Sequence, residues 1–428
     1  MHTGTGSKFL WIFSGFLSFF ILSGCYDRKE KNISTQPKDI IIPKLLKVTF
    51  YLENSESMFG YVNGLTEYVQ VISELSSKPD FISNKIVKEF ILINGKKPLS
   101  INSLGDISSN LNAVLSPVGF RKGNTNSSEL NEMLKLAMQS AGNGNISVFI
   151  SDGIFDINDK LNFNKFLTLQ SGVTKANFIN KLNKSTNFET LLIKLNSQFT
   201  GRYFYASQNK IDNIDQKRPY YIWVFGDSQI VNKYFNEAFI TNGLIGQTDY
   251  LRFIKLDSPI IPNRIIKGIN RKGNFDIERD NFNVIEGAVK DASGNFSFSF
   301  AVDLNKLPFS EVYLTNKNNY IISDNSNYEI DSIQKVKQTH IPFLPGKNNL
   351  NASHIITLKC KPKTTHIGAI NIKLKYILPT WINSSINPEI VNSHLTFGFD
   401  KLTSGIAAAY NVYNQNKNLA EFKFQIKP

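Results

Sequence analysis

Three short stretches of this chain, residues 45–52, 146–150 and 220–225, are apolar almost without a break. A strand of that kind needs cover on both faces, as a parallel strand has inside a helix-covered sheet. Helical spacing falls between these runs. Residues 65–75 read as a helix, and residues 129–141 carry Leu130, Met133, Leu134, Ala137 and Met138 on one face. Further helices are predicted over 188–199 and near 229–239, and strands over 202–206 and 250–256. Such alternation predicts an α/β unit over residues 45–257, with a mostly parallel sheet and helices on both faces.

After residue 257 the pattern changes. Residues 297–302 and 370–376 alternate polar and apolar, with extended runs at 312–314 and 354–359 between Asn-, Gly- and Pro-rich turns. This predicts an all-β, sandwich-like domain over 258–378. Residues 379–428 end in a predicted helix over 401–410 and a strand over 420–426. Hydrophobic residues make up 41% of the chain and aromatics 12%, enough for a buried core.

The N-terminus reads differently. Lys8 precedes residues 9–22, which are apolar except for Ser14, Gly15 and Ser18. That run is short of the roughly 20 residues a membrane span needs, and fits the core of a secretory signal. It closes on Leu22-Ser23-Gly24-Cys25, which resembles a bacterial lipobox. The resemblance implies that residues 1–24 are a removed signal peptide and that Cys25 carries lipid. Residues 25–44, polar and with Pro37 and Pro43, would tether the folded part to a membrane of the cell envelope, on its periplasmic or surface face. The only other cysteine is Cys360, so a lipidated Cys25 leaves no intrachain disulfide and the core must hold the fold. The net charge of +13 is spread along the chain, without a dense basic patch or a helix-turn-helix or zinc-finger spacing. Nucleic acid is therefore not an expected partner.

The first apolar run leads straight into Glu53-Asn54-Ser55-Glu56-Ser57. Gly123-Asn124-Thr125-Asn126 precedes the helix at 129, and the run 146–150 leads into Ser151-Asp152-Gly153. Carboxylate and hydroxyl oxygens at strand ends are hard ligands suited to a divalent cation. The three elements, in this order, resemble the von Willebrand factor type A (vWA) domain over residues 45–256. The resemblance implies a Rossmann-like fold with a metal-ion-dependent adhesion site, and a binding module rather than an enzyme. Ser55 and Ser57 would bind Mg²⁺ (or Ca²⁺ or Mn²⁺) directly, and Thr125 directly or through water. Glu53 and Asp152 would hold the waters and the seryl hydroxyls. The open position would take a carboxylate from a partner protein. Glu53 departs from the family's Asp, and its extra methylene carries the carboxylate about 1.5 Å further. Three outcomes stay open: a shifted ion, direct ligation by Glu53, or a site without metal in a structural component of an envelope assembly. Glu56 should point away from Ser55 and Ser57 by alternation.

Other constellations are weaker. Gly226-Asp227-Ser228 resembles an esterase block, but the positions three before the late histidines are Lys337, Asn351, Lys363 and Val391 rather than Asp. A capped strand-to-helix turn explains the triplet. The five histidines form no ligand pair, Cys360 reads as a small buried residue, and Phe298 and Phe300 read as core. No base–nucleophile pair supports a hydrolase. The N-terminal reading is checked directly: Cys25→Ala should move the protein from the membrane to the soluble fraction or stall it as precursor, and unchanged fractionation and mass would refute the anchor.

Overall fold

A computed structural model describes residues 44–428 apart from 102–106, 124, 126–127, 158–161, 205–210, 257–260, 324–326, 345–349, 386–393 and 416. The signal segment, Cys25, nearly all of the tether and the 257/258 boundary lie outside the described residues. Among the described residues, no helix is long and apolar enough to cross a membrane.

The first sheet is built as the apolar runs require at its centre. Strand β1 (Lys47–Glu53) lies parallel between β2 (Val87–Ile93) and β4 (Asn145–Ser151), buried from Val48 to its end. A short β3 (Leu99–Ser100) adds an antiparallel edge. Val48, Phe50 and Leu52 face one core with helix α1 (Glu67–Ser76), where Tyr68, Val71, Ile72 and Leu75 are buried. Thr66 caps α1 by accepting the Val69 N–H. Helices α2 (Pro79–Ser83) and α3 (Ile107–Val114) follow. Tyr51 and Phe149 face the opposite core, covered by α4 (Leu130–Ser140) and α5 (Phe163–Asn183).

The other half of the sheet is antiparallel, so the sheet is mixed rather than mostly parallel. Strands β5 (Phe188–Phe204) and β6 (Ile211–Asp227) form a hairpin of 17 residues per arm, and β6 runs antiparallel to β4. Helices α6 (Ser228–Tyr234) and α7 (Glu237–Gly243) lead to β7 (Gln247–Phe253), antiparallel to β5. The order is β3-β2-β1-β4-β6-β5-β7. The helix expected over 188–199 is therefore strand. Its inner half is buried on both faces, and Leu195, Ser197 and Phe199 then alternate inward, a period of two. The helix that does occur, α5, buries only Leu167, Thr174, Phe178 and Leu182, too sparse a stripe to stand out in sequence.

The second half holds β8 (Asn263–Ile266), β9 (Asn274–Ile277), β10 (Val284–Val289), β11 (Ser297–Val302), β12 (Tyr320–Ile322), β13 (Tyr328–Lys335), β14 (His354–Cys360), β15 (Gly368–Leu374) and β16 (Ala420–Ile426). They form two sheets, β13-β14-β11-β8 and β12-β15-β16-β10-β9. All their pairings are antiparallel except the short β10–β16 contact. Phe298 and Phe300 meet Phe424 across a shared core at ring distances of 5.7 and 4.7 Å. The expected extended run at 312–314 is instead one helical turn, α8 (Glu311–Thr315), because Ser310 accepts the Tyr313 N–H as its cap. Cys360 is half-buried rather than buried.

The C-terminal residues do not stand apart. Helix α9 (Phe399–Asn414) packs on α5 and on the first sheet. Phe399 stacks on Tyr221 at 4.0 Å, and the Tyr410 hydroxyl lies 3.0 Å from Thr190 Oγ1. A Cβ on Gly405 would sit 2.6 Å from the Ser171 carbonyl oxygen, so only glycine permits this approach of α9 to α5. Asn414 bonds Leu256 N and Ile254 O, and the chain then enters the second pair of sheets as β16. A chain ending at residue 257 should therefore be insoluble or melt without cooperativity, its apolar face bare. In the full chain, Phe399→Ala should cost about 3 to 5 kcal/mol in denaturant unfolding, while Val412→Ala on the exposed side should be near neutral.

Candidate metal centre

Parallel neighbours in register end at the same edge. Leu52 of β1 pairs with Ile150 of β4, so Glu53 and Ser151–Asp152 emerge side by side. Both acids are buried, Glu53 at 0% exposure and Asp152 at 1%. Ser55 Oγ and Ser128 Oγ each donate to Glu53 Oε1 at 2.7 Å, and Ser57 Oγ lies 3.1 Å from Ser55 Oγ. The Ile154 N–H donates to Asp152 Oδ1 at 3.1 Å. Glu53 Oε2 and Asp152 Oδ2 are buried with no hydrogen-bond partner among the described residues.

The electrostatics follow from this crowding. Burial, and then the Asp152 charge, push the Glu53 carboxyl up to about 7, against the opposing pull of the Ser151, Ser128 and Ser55 hydroxyls. Burial raises Asp152 as well, offset by the Arg218 guanidinium and the Ser57 hydroxyl. An unsatisfied buried carboxylate oxygen is costly, and two on neighbouring strand ends more so. Two orphaned carboxylate oxygens beside a row of hydroxyls are a donor set that fits a hard divalent cation. Among the described residues, three or more His, Cys, Asp or Glu side chains nowhere gather as ligands, so hydroxyls would have to complete the set here.

Local contacts hold the loops in place. The Asn54 N–H extends the ladder to the Ile93 carbonyl at 3.1 Å. Its side chain donates to the Phe120 and Lys122 carbonyls at 3.1 and 2.8 Å, fixing the loop that carries Thr125. The Thr125 carbonyl accepts the Glu56 N–H at 3.2 Å. Gly153 turns the chain away at a φ of +71°, with the Tyr221 ring 3.2 Å from where a Cβ would sit. Because β6 pairs with β4 only over Tyr221–Phe225, its preceding residues Ile211–Tyr220, paired with β5, run past the sheet edge beside the site. The hairpin is fastened there by the Tyr61 hydroxyl on the Pro219 carbonyl at 2.6 Å and by Ser197 Oγ on the Tyr68 N–H at 3.0 Å.

The structure thus brings Glu53, Ser55, Ser57 and Asp152 together, and brings Thr125 alongside through its backbone. Asn124 and Asn126 lie outside the described residues. Sequence reading missed Ser128, Ser151, Asn54 and Arg218. Ser128 carries a signal, a hydroxyl directly before α4, but the family pattern drew attention to Thr125. Arg218 carries none, since only the antiparallel hairpin delivers it. Its buried guanidinium stacks over the Tyr203 ring at 4.3 Å. At the triplet set aside earlier, Asp227 caps α6 by accepting the Gln229 N–H at 3.0 Å. A Ser353–His354–Glu311 array does exist, with Oγ···Nδ1 2.8 Å and Nε2···Oε1 3.1 Å. Its Ser353 hydroxyl is occupied by the Leu304 and Asn305 N–H groups, as a cap is.

Comparison with protein-family models, with curated proteins and with solved structures finds no match to this chain.

The sign of the pH dependence is fixed by the Glu53 shift. A carboxyl raised in the folded state from 4.5 to about 7 supports folding at low pH and loses that contribution as pH rises through about 7. In chelator, the melting temperature should fall across that window, and Glu53→Gln should flatten the fall. An unchanged slope would show that the pair is not buried as described.

Proposed function

We propose that residues 45–256 act as a vWA-like, divalent-cation-dependent binding module in a lipid-anchored protein of the cell envelope. The observation that carries this reading is the pair of orphaned oxygens, Glu53 Oε2 and Asp152 Oδ2, beside Ser55, Ser57 and Ser128 at one sheet edge. Ser55 and Ser57 would hold Mg²⁺, or Ca²⁺ or Mn²⁺, with Thr125, Glu53 and Asp152 completing and orienting the set. When bound, the cation supplies an acceptor for a carboxylate of a partner protein. The chain's own part is to keep the hydroxyls aligned, exclude water and present the edge. This is binding chemistry, and the lipid on Cys25 would keep the module at the membrane.

A second reading has one observation in its favour. Glu53 Oε1 already accepts two hydroxyl hydrogen bonds, and a carboxyl raised to about 7 can hold a proton in place of a metal. The protein would then be an assembly component of an envelope complex with a protonated, metal-free site.

Melting with added Mg²⁺ separates them. A ligand of the native state stabilises it by about 2.7 kcal/mol at a concentration near 100 Kd. The shift should vanish in Ser55→Ala/Ser57→Ala and in Asp152→Ala, with the fold intact. Glu53→Asp should alter affinity or ion preference if Glu53 is a ligand. If only Glu53→Asp responds to Mg²⁺, the parent site is metal-free and the second reading holds.

A further inference from the structure

Between Ser55 and Ser57 stands Glu56, and its side chain faces outward into a groove of about 390 Å³. The groove's walls are the 56–63 turn, the segment at 117–121 and the projecting arms of the β5–β6 hairpin. Its basic side chains are Arg121 and Arg202, both exposed. Each guanidinium lies over an aromatic ring, Arg121 over Phe59 at 4.8 Å and Arg202 over Phe204 at 5.3 Å. Stacking restrains a guanidinium and leaves its N–H edge for a planar anion, which lowers the ordering cost of binding. Among the described residues the one groove acid opposing them is Glu56, at a loose 3.9 Å from Arg202. The floor is backbone: a Cβ on Gly201 would lie 3.1 Å from Gly60 Cα, and one on Gly60 2.5 Å from the Phe199 ring. Neither glycine can carry a side chain without meeting that backbone or ring. Pro117 forms one lip, and its neighbour Val118 is 85% exposed.

We propose that this groove docks an acidic peptide segment of the partner protein, with carboxylates on Arg121 and Arg202 and an apolar side chain over the Pro117–Val118 lip. The forked geometry of two restrained guanidiniums matches carboxylate pairs. The concave, narrow shape suits an extended segment better than a flat membrane. The inference rests on the chain being a protein-binding module, but not on the metal.

The probe is a fluorescein-labelled peptide of alternating aspartate and leucine, with a lysine-for-aspartate control, titrated into the full chain by anisotropy. Arg121→Gln and Arg202→Gln should each weaken binding about tenfold or more, and binding should weaken with salt. Glu56→Gln should strengthen it by releasing Arg202. EDTA should leave the arginine dependence in place. Parent-like binding by the double arginine variant, its melt unchanged, overturns the groove. Binding that is lost in EDTA and indifferent to the arginines also overturns it, and leaves the metal-dependent reading standing. No binding by the parent overturns it too, while the Mg²⁺ melting shift, read without peptide, still reports on the metal reading. Arginine-dependent binding of phosphatidylglycerol vesicles with no peptide binding overturns the peptide in favour of the membrane.

Discussion

Two carboxyl groups held out of water at the ends of neighbouring parallel strands set the terms for the first half of this protein. Glu53 and Asp152 cannot both be charged there without a compensating partner. The fold supplies part of the compensation, in the hydroxyls of Ser55 and Ser128 and the nearby guanidinium of Arg218. It withholds the rest, leaving one oxygen of each acid orphaned. Glu189 is equally buried and also has one oxygen, Oε2, without a hydrogen-bond partner among the described residues, but Arg252 pairs directly with its Oε1 and also bonds the Phe235 carbonyl.

The architecture keeps that edge rigid from a distance. Helix α9 closes the face of the first sheet opposite α1, stacking Phe399 against Tyr221 two residues from Trp223. Tyr221 is also the ring against which Gly153 turns. The C-terminal helix thus backs the turn that follows Asp152, and β16 anchors that helix into the second pair of sheets. The β half braces the α/β half as well as adding to it.

Legibility in the sequence followed burial. β1 and β4 were plain because both of their faces are covered, which forces continuous apolar runs, and β16 because strict alternation over Ala420–Ile426 has one reading. β5 was misread because its first residues, Leu191, Leu192 and Ile193, are buried on both faces and fit a helix as well as a strand until the alternating tail is weighed. α5 was lost because it packs through few apolar positions, with Thr174 bonding Asn131 instead. At the site, the motif residues were readable because they sit within a few positions of strand ends. Ser128 was passed over for Thr125, and Arg218 was out of reach because its place depends on the direction of β6.

That direction gives the site its shape. A parallel strand beside β4 would have ended at the same edge as Glu53 and Asp152, and the edge would have been open. The antiparallel β6 instead begins beyond the edge and arrives at β4 only at Tyr221. Its first half, paired with the far half of β5, stands beside the carboxylates as a wall. The wall carries Arg218 inward towards Asp152, while Arg202 on the partner arm faces the groove beside Glu56. One change in strand polarity therefore both brings a positive charge into the interior of the site and builds the surface next to it.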